Sequence, residues 1–156
     1  MLQLSGEEQF SQAPEEIWDR VVDPEFLVKI IPGVDHVEQV ESDRLVCRVR
    51  PGLSFMTGTL KITIDISAEQ PQEMVRMHVA SKGIGSSAMV ETAFHLAADD
   101  TGTKLDWTAD VTEVGGLLKP VGRTLIGAAA RKVISDAWLG FRNELDQVTE
   151  SAAPSS

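Results

Sequence analysis

Residues 118–148 read LKPVGRTLIGAAARKVISDAWLGFRNELDQV, and their period decides the fold. Ile126, Ala130, Val133, Ala137, Phe141, Leu145 and Val148 recur at three- and four-residue intervals, with Leu125, Ile134 and Trp138 alongside. That spacing lays them along one stripe of an α-helix. Pro120 is acceptable near a first turn. At 1.5 Å per residue, a helix from about Leu118 to Val148 is about 45 Å long. A helix of that length is too long to be a cap, so its apolar stripe should lie across the face of something equally large.

Upstream the period is two. Gly58, Leu60, Ile62, Ile64 and Ile66 alternate with Thr57, Thr59, Lys61, Thr63 and Asp65; Leu105, Trp107, Ala109 and Val111 alternate with Asp106, Thr108, Asp110 and Thr112. Such alternation marks antiparallel strands with one wet face. Val34–Val40, Arg44–Arg50, Met74–Ser81 and Ala88–Ala97 read the same way, and Leu2, Leu4 and Phe10 share a parity in a first strand. Polar turns fall at Glu41-Ser42-Asp43, Gln70-Pro71-Gln72 and Asp99-Asp100-Thr101-Gly102. Ala13-Pro14-Glu15-Glu16 and Asp23-Pro24-Glu25 open two short helices, with proline at the first helical position and acids suited to the dipole. Asp23 is the N-cap of the second, and Ile31-Pro32-Gly33 stops it. The expected architecture is α+β: a curved seven-stranded antiparallel sheet around a long C-terminal helix, with two short helices after strand 1. Twist curls a meander of this kind into a cup. A solid core beneath the helix is the alternative.

Composition bounds the class. The chain has 156 residues and reads as one domain over 1–150, with a small polar tail at 151–156 expected to be disordered. Its net charge of −10 argues against nucleic-acid binding, which leaves a basic footprint. The lone Cys47 rules out an internal disulfide and sits in an apolar alternating stretch, as a buried strand residue would. No run approaches the ~18 apolar residues of a membrane span, and no signal peptide is visible at the start. The expected location is cytoplasmic, with room for a peripheral contact on the inner face of the cytoplasmic membrane.

Loop composition separates the two ends of the meander. The segments Ile30–Val34, Pro51-Gly52-Leu53-Ser54-Phe55, Lys82-Gly83-Ile84-Gly85 and Gly115-Gly116-Leu117-Leu118 combine glycine with apolar residues, and connectivity places them at one end. Lys29, Arg50, Lys82, Lys119 and Arg123 fall there too. Apolar loop tips in a basic collar suit docking on an anionic bilayer or a partner. Loops folded inward to cap the core are the plain alternative. The residues expected to form this mouth are Ile31, Leu53, Phe55, Ile84, Leu117, Leu118, Lys82, Lys119 and Arg123.

Chemistry-bearing patterns are sparse. His36, His78 and His95 have no metal-ligand spacing, and no phosphate loop, nucleophile elbow or zinc helix is present, so no catalytic residue, metal or cofactor is expected. His78 shares parity with Arg76, and His95 with Glu91, so both histidines should face outward. Arg76, Glu91 and Thr92 are the strand polar residues to check for an inward orientation.

The pattern Phe10-x3-Pro14-x3-Trp18-x4-Asp23-Pro24, with Ile31-Pro32-Gly33-Val34, resembles the opening of the carbon monoxide dehydrogenase G-subunit family. So do Lys82-Gly83-x-Gly85, Gly102-Thr103-x-Leu105-x-Trp107 and Val114-Gly115-Gly116-x2-Lys119-x2-Gly122-Arg123-x-Leu125-Ile126. The resemblance runs over roughly residues 2–148, and it departs at Pro51-Gly52, where the family's order is Gly-Pro. It implies a START-like, helix-grip (SRPBCC) fold with a hydrophobic cavity between sheet and helix. It also implies a non-catalytic accessory role beside a molybdenum hydroxylase of the carbon monoxide dehydrogenase type, linked to the membrane and its quinone pool.

Three functions follow as expectations. The first is a binding module for an elongated apolar molecule, a prenylquinone or lipid. Leu60, Ile62, Val90 and Trp107 of the sheet, with Leu125, Ile126, Ala129, Ala130, Val133 and Trp138 of the helix, would line its cavity; the small residues Gly127–Ala130 would leave the space. The second is a recruitment protein that joins an enzyme to the membrane without cargo. The third is an enzyme such as a cyclase or hydrolase, which needs inward polar groups that the sequence hardly offers.

Overall fold

The computed structural model describes residues 2–50 and 58–152, with side chains as far as residue 147. The alternating segments form strands β1 (Leu2–Phe10), β2 (Val34–Val40), β3 (Arg44–Val49), β4 (Leu60–Gln70), β5 (Met74–Gly83), β6 (Ser86–Asp99) and β7 (Gly102–Gly116). They pair antiparallel in one sheet of order β1-β7-β6-β5-β4-β3-β2. The first strand closes the sheet beside the last: Leu4 stands opposite Ala109 and Gly6 opposite Trp107. A row of inward residues crosses the sheet from Leu4 through Ala109, Thr92 and Met77 to Ile66. Bulges at Val34/His36, Val37/Gln39 and Met89/Val90 interrupt the ladders, and such irregularities bend strands and raise twist.

Two short helices, α1 (Pro14–Val21) and α2 (Pro24–Ile30), follow β1, and the long helix α3 (Arg123–Ala152) ends the described chain. Proline stands at the start of both short helices, and the Asp23 side chain accepts a hydrogen bond from the Glu25 amide at 3.0 Å. α1 lies over β6 and β7, while α2 lies over β2 and β3 and packs on α3. The α2–α3 approach depends on Gly140, where a Cβ would stand 3.1 Å from the Ile30 carbonyl oxygen. The main core gathers Ile17, Leu45, Val75, Leu105, Phe141 and Leu145 between sheet and helices, all at most 1% exposed. Full burial of side chains this size stabilises by about 1.5–3 kcal/mol each.

The helix differs from its sequence expectation in two ways. It begins at Arg123 rather than near Leu118, because residues 115–121 form tight turns, with the Lys119 amide bonded to the Gly116 carbonyl and that of Val121 to Leu118. It also runs on to Ala152, into the segment expected as a tail. Its buried face is centred on Gly127, Ile134, Phe141 and Leu145, which recur every seven or four residues. Val133, one residue before Ile134, is therefore turned about 100° away and is 43% exposed. Leu125 lies nearly opposite the buried face and is 47% exposed. The expected stripe was rotated toward the wrong side of the helix at these two positions.

Candidate functional site

The aromatic residues meet where α3 crosses the sheet. The Trp138 ring centroid is 6.1 Å from Phe10, 5.9 Å from Phe94 and 5.4 Å from Phe141, and Phe26 meets Phe141 edge-on at 5.3 Å. Large rings in tilted and edge-on contact do not fill every corner. Beside them lies a cavity of about 160 Å³, walled by Ile64, Met77 and Thr92 of the sheet, Leu27 and Ile30 of α2, and Ile134 and Phe141 of α3. Its surface is almost wholly apolar. Thr92 turns its methyl side to an apolar wall, since its hydroxyl donates to the Met77 carbonyl at 3.2 Å.

A second hollow, of about 560 Å³, is a groove along the seam between β1 and α3. Gln3, Ser5, Arg131 and Ser135 give it a polar rim. Trp107, Ile134 and Trp138 belong to both the groove and the inner cavity, so these three side chains form the partition between them. At one end of the groove Arg142 donates to the Glu8 carboxylate at 3.0 Å and to the Gln9 carbonyl at 2.9 Å, and its guanidinium covers the Phe10 ring. The indole of Trp107 rests on β1 at Gly6, and its Nε1 is buried with no hydrogen-bond partner.

Of the residues expected to line a cavity, Trp107 and Trp138 do so. Leu125 and Val133 do not; they face solvent because the helix is rotated away from them. Leu60 is buried in a separate cluster with Cys47 and Val49, against which Ile62 packs. Val90 is half-buried on the inner face, opposite Val79 and Val111. Ile126, Ala129 and Ala130 are half-buried and border neither hollow. Gly127 is buried, and a Cβ on it would stand 3.6 Å from Leu2 Cδ2, so the small residue here serves close approach to β1. The sequence reading missed Ile134, Ala137 and Phe141 as lining residues. The seven-residue recurrence of Gly127, Ile134 and Phe141 was the signal that could have found them.

The mouth residues come together in part. Gly33 and Arg50 are joined by a backbone hydrogen bond of 2.8 Å, and the Leu117 amide bonds the Gly85 carbonyl at 3.0 Å. Ile31 and Ile84 fold inward against the cluster of Cys47, Val49 and Leu60. Leu117 stays outside, 67% exposed, with Lys82, Lys119 and Arg123 also exposed and Leu118 half-buried. None of these three cations forms an ion pair with a described residue. Leu53 and Phe55 lie outside the described residues.

Of the polar strand residues, Thr92 points inward while Arg76 and Glu91 lie on the outer face. Glu91 pairs there with His78. The two groups with displaced pKa values lie away from the cavity. Burial, with a smaller contribution from Glu38, pushes the Cys47 thiol up. Desolvation would raise the Asp99 carboxyl, but hydrogen bonds from Gln9, from the Thr101 side chain and from the Thr101 and Gly102 amides together hold it below the usual range. Among the described residues, no cluster of three or more His, Cys, Asp or Glu could hold a metal, and no helix is long and apolar enough to cross a membrane.

A curved seven-stranded antiparallel sheet closed over a long C-terminal helix is the START-like, helix-grip fold. Solved structures share it. A conserved protein from Geobacillus kaustophilus superposes with a TM-score of 0.83 at 24% identity, over 94% of this chain and 96% of that one. A START superfamily protein from Mycobacterium smegmatis gives 0.69 at 14% identity, over 94% and 98%. Ara h 8.0201 gives 0.67 at 12% identity, again over 94% and 98%. No curated protein matches the chain in sequence. The chain belongs to the carbon monoxide dehydrogenase G-subunit (CoxG) family, whose model matches residues 6–146.

Proposed function

We propose that this chain is a non-catalytic accessory protein that binds an elongated apolar molecule, a prenylquinone or lipid, and links a molybdenum hydroxylase of the carbon monoxide dehydrogenase type to the membrane. The observation that carries the binding reading is the apolar cavity separated from the seam groove only by Trp107, Ile134 and Trp138. The cavity's 160 Å³ is below the ~300–1,000 Å³ of pockets that bury a drug-sized ligand. It suits a ring or the end of a chain, since an apolar cavity of about 150 Å³ takes up benzene. The remainder of a long ligand would lie in the groove. The enzyme partner and membrane link rest on the family alone.

The test is to purify the protein from its native host, extract it with organic solvent and identify the extract by mass spectrometry. A stoichiometric prenylquinone or lipid is expected. An empty extract, repeated after incubation with native membranes, would sink the cargo reading.

A second reading, recruitment without cargo, is favoured by one observation: Leu117 is 67% exposed beside Lys119 and Arg123. It expects retention on vesicles containing anionic lipid, weakened by salt and abolished by Leu117→Asp. Failure to bind such vesicles at low salt would end it.

A further inference from the structure

The partition between groove and cavity contains one polar atom without a partner. Trp107 Nε1 is a donor only, it is buried, and no acceptor reaches it. Buried N–H groups in folded proteins nearly always have a partner, and an unpaired one costs about 1–3 kcal/mol. Its position is defined by Gly6. A Cβ there would lie 2.5 Å from Trp107 Cζ2, 2.6 Å from Cε2 and 2.8 Å from Nε1. The edge of the indole that carries the N–H is thus the edge turned toward β1, the strand that floors the groove. The donor stands at the threshold between a mixed groove and a nearly pure hydrocarbon cavity.

We propose that Trp107 Nε1 is the specificity contact of the binding site, and that the bound molecule carries a neutral carbonyl oxygen which accepts from it. This deepens the binding reading above and rests on it. The molecule would put its apolar end past Trp107 into the cavity and leave the rest along the seam. A neutral acceptor fits because the threshold offers a single donor. A carboxylate or phosphate there would be desolvated with one hydrogen bond to compensate it. The arginines of the groove do not change this: Arg142 is committed to Glu8 and Gln9, and Arg131 is exposed. Trp107 also explains selectivity against plain hydrocarbon, which would occupy the same space and leave the N–H unpaired.

Two probes isolate the contact: phenyl decyl ketone and phenylundecane, which differ only by the carbonyl oxygen. Equilibrium dialysis of each against wild type and Trp107→Phe gives four affinities. Wild type is expected to prefer the ketone, and Trp107→Phe to lose about five- to tenfold for the ketone, the range of one neutral hydrogen bond, with phenylundecane unchanged. Equal ketone affinity in the two proteins would overturn the inference while leaving the binding reading intact. Wild type that takes up neither probe would bring down both. If Trp107→Phe does not fold, wild type alone decides. The indole N–H proton resonance of Trp107 should move downfield with the ketone and not with the hydrocarbon; no difference between the two would refute the contact.

Discussion

Trp107 lies against Gly6 across the β1–β7 pair, so closely that a Cβ on Gly6 would stand 2.5 Å from Trp107 Cζ2. The missing side chain on the edge strand is what lets the indole lie over β1 as the partition between groove and cavity. Gly6→Ala must push the ring off this seat. We expect a loss of about 1–3 kcal/mol, the usual cost of overpacking, read as a lower unfolding midpoint in urea. The near-ultraviolet circular dichroism should change as well, because an indole moves. Unchanged stability and an unchanged aromatic spectrum would mean that the indole is not held where it is described.

Arg142 fastens the long helix to the edge strand. Its guanidinium donates to Glu8 Oε1 at 3.0 Å and to the Gln9 carbonyl at 2.9 Å, with the Phe10 ring centroid 4.4 Å below. Arg142→Ala is expected to cost about 1 kcal/mol, since the pair is partly exposed and screened. Amide exchange in the second half of β1 should quicken more than in β5. Arg142→Lys should not restore protection, because an ammonium cannot make the planar two-pronged contact. Full protection in the lysine variant would show that charge alone ties the helix down.

The sheet was legible because its signal is local. Each of the segments around Ile62, Val90 and Trp107 alternates clearly, and a period of two gives only one way to face inward. The helix gave its extent but not its rotation. A 3.6-residue period spreads apolar residues over a wide arc, so Val133 and Ile134 look equally internal in sequence, although only Ile134 reaches the cavity. The cavity itself was placed too near the N-terminal half of α3. The run Gly127–Ala130 reads as empty space, yet small residues also permit close approach, and Gly127 is used that way against Leu2. Telling these apart needs the partner surface, which no local pattern contains. The seam groove was not foreseen either, since it depends on where β1 lies relative to α3.

Two residues other than glycine adopt positive φ, and they should respond differently to glycine. Gln72, at φ 66°, is the third residue of a turn closed by the Glu73 amide on the Gln70 carbonyl at 2.9 Å. It follows Pro71 and is exposed, as a type II turn favouring glycine at this position would have it. Gln72→Gly is expected to stabilise by up to about 1 kcal/mol. Ile84, at φ 55°, is strained in the same way, but its side chain packs on the Cys47, Val49 and Leu60 cluster. Loss of that burial offsets the relief, so Ile84→Gly should be no more stable than the parent. Urea denaturation of both variants checks the pair; a clear gain at Ile84 would show that its packing contributes little and that the mouth is held under strain.

The turn between β6 and β7 carries a pH dependence of known sign. Asp99 Oδ1 accepts from the Thr101 amide at 3.0 Å, the Gly102 amide at 2.9 Å and the Thr101 hydroxyl at 3.0 Å. These bonds outweigh desolvation and hold the carboxyl below its ordinary value of 3.8. A group whose folded pKa is depressed contributes stability above its unfolded value and loses it as pH falls through the folded value. Asp99→Asn keeps an oxygen that can accept the same bonds but has no charge to titrate. Wild type should therefore be the more stable near neutral pH, and its advantage should shrink as the pH drops below about 3.8 toward about 2. Paired urea titrations across that range measure the difference directly, so the other carboxylates cancel. A gap that stays constant with pH would mean that the Asp99 charge contributes nothing to the turn, and that the hydrogen-bond geometry alone sets it.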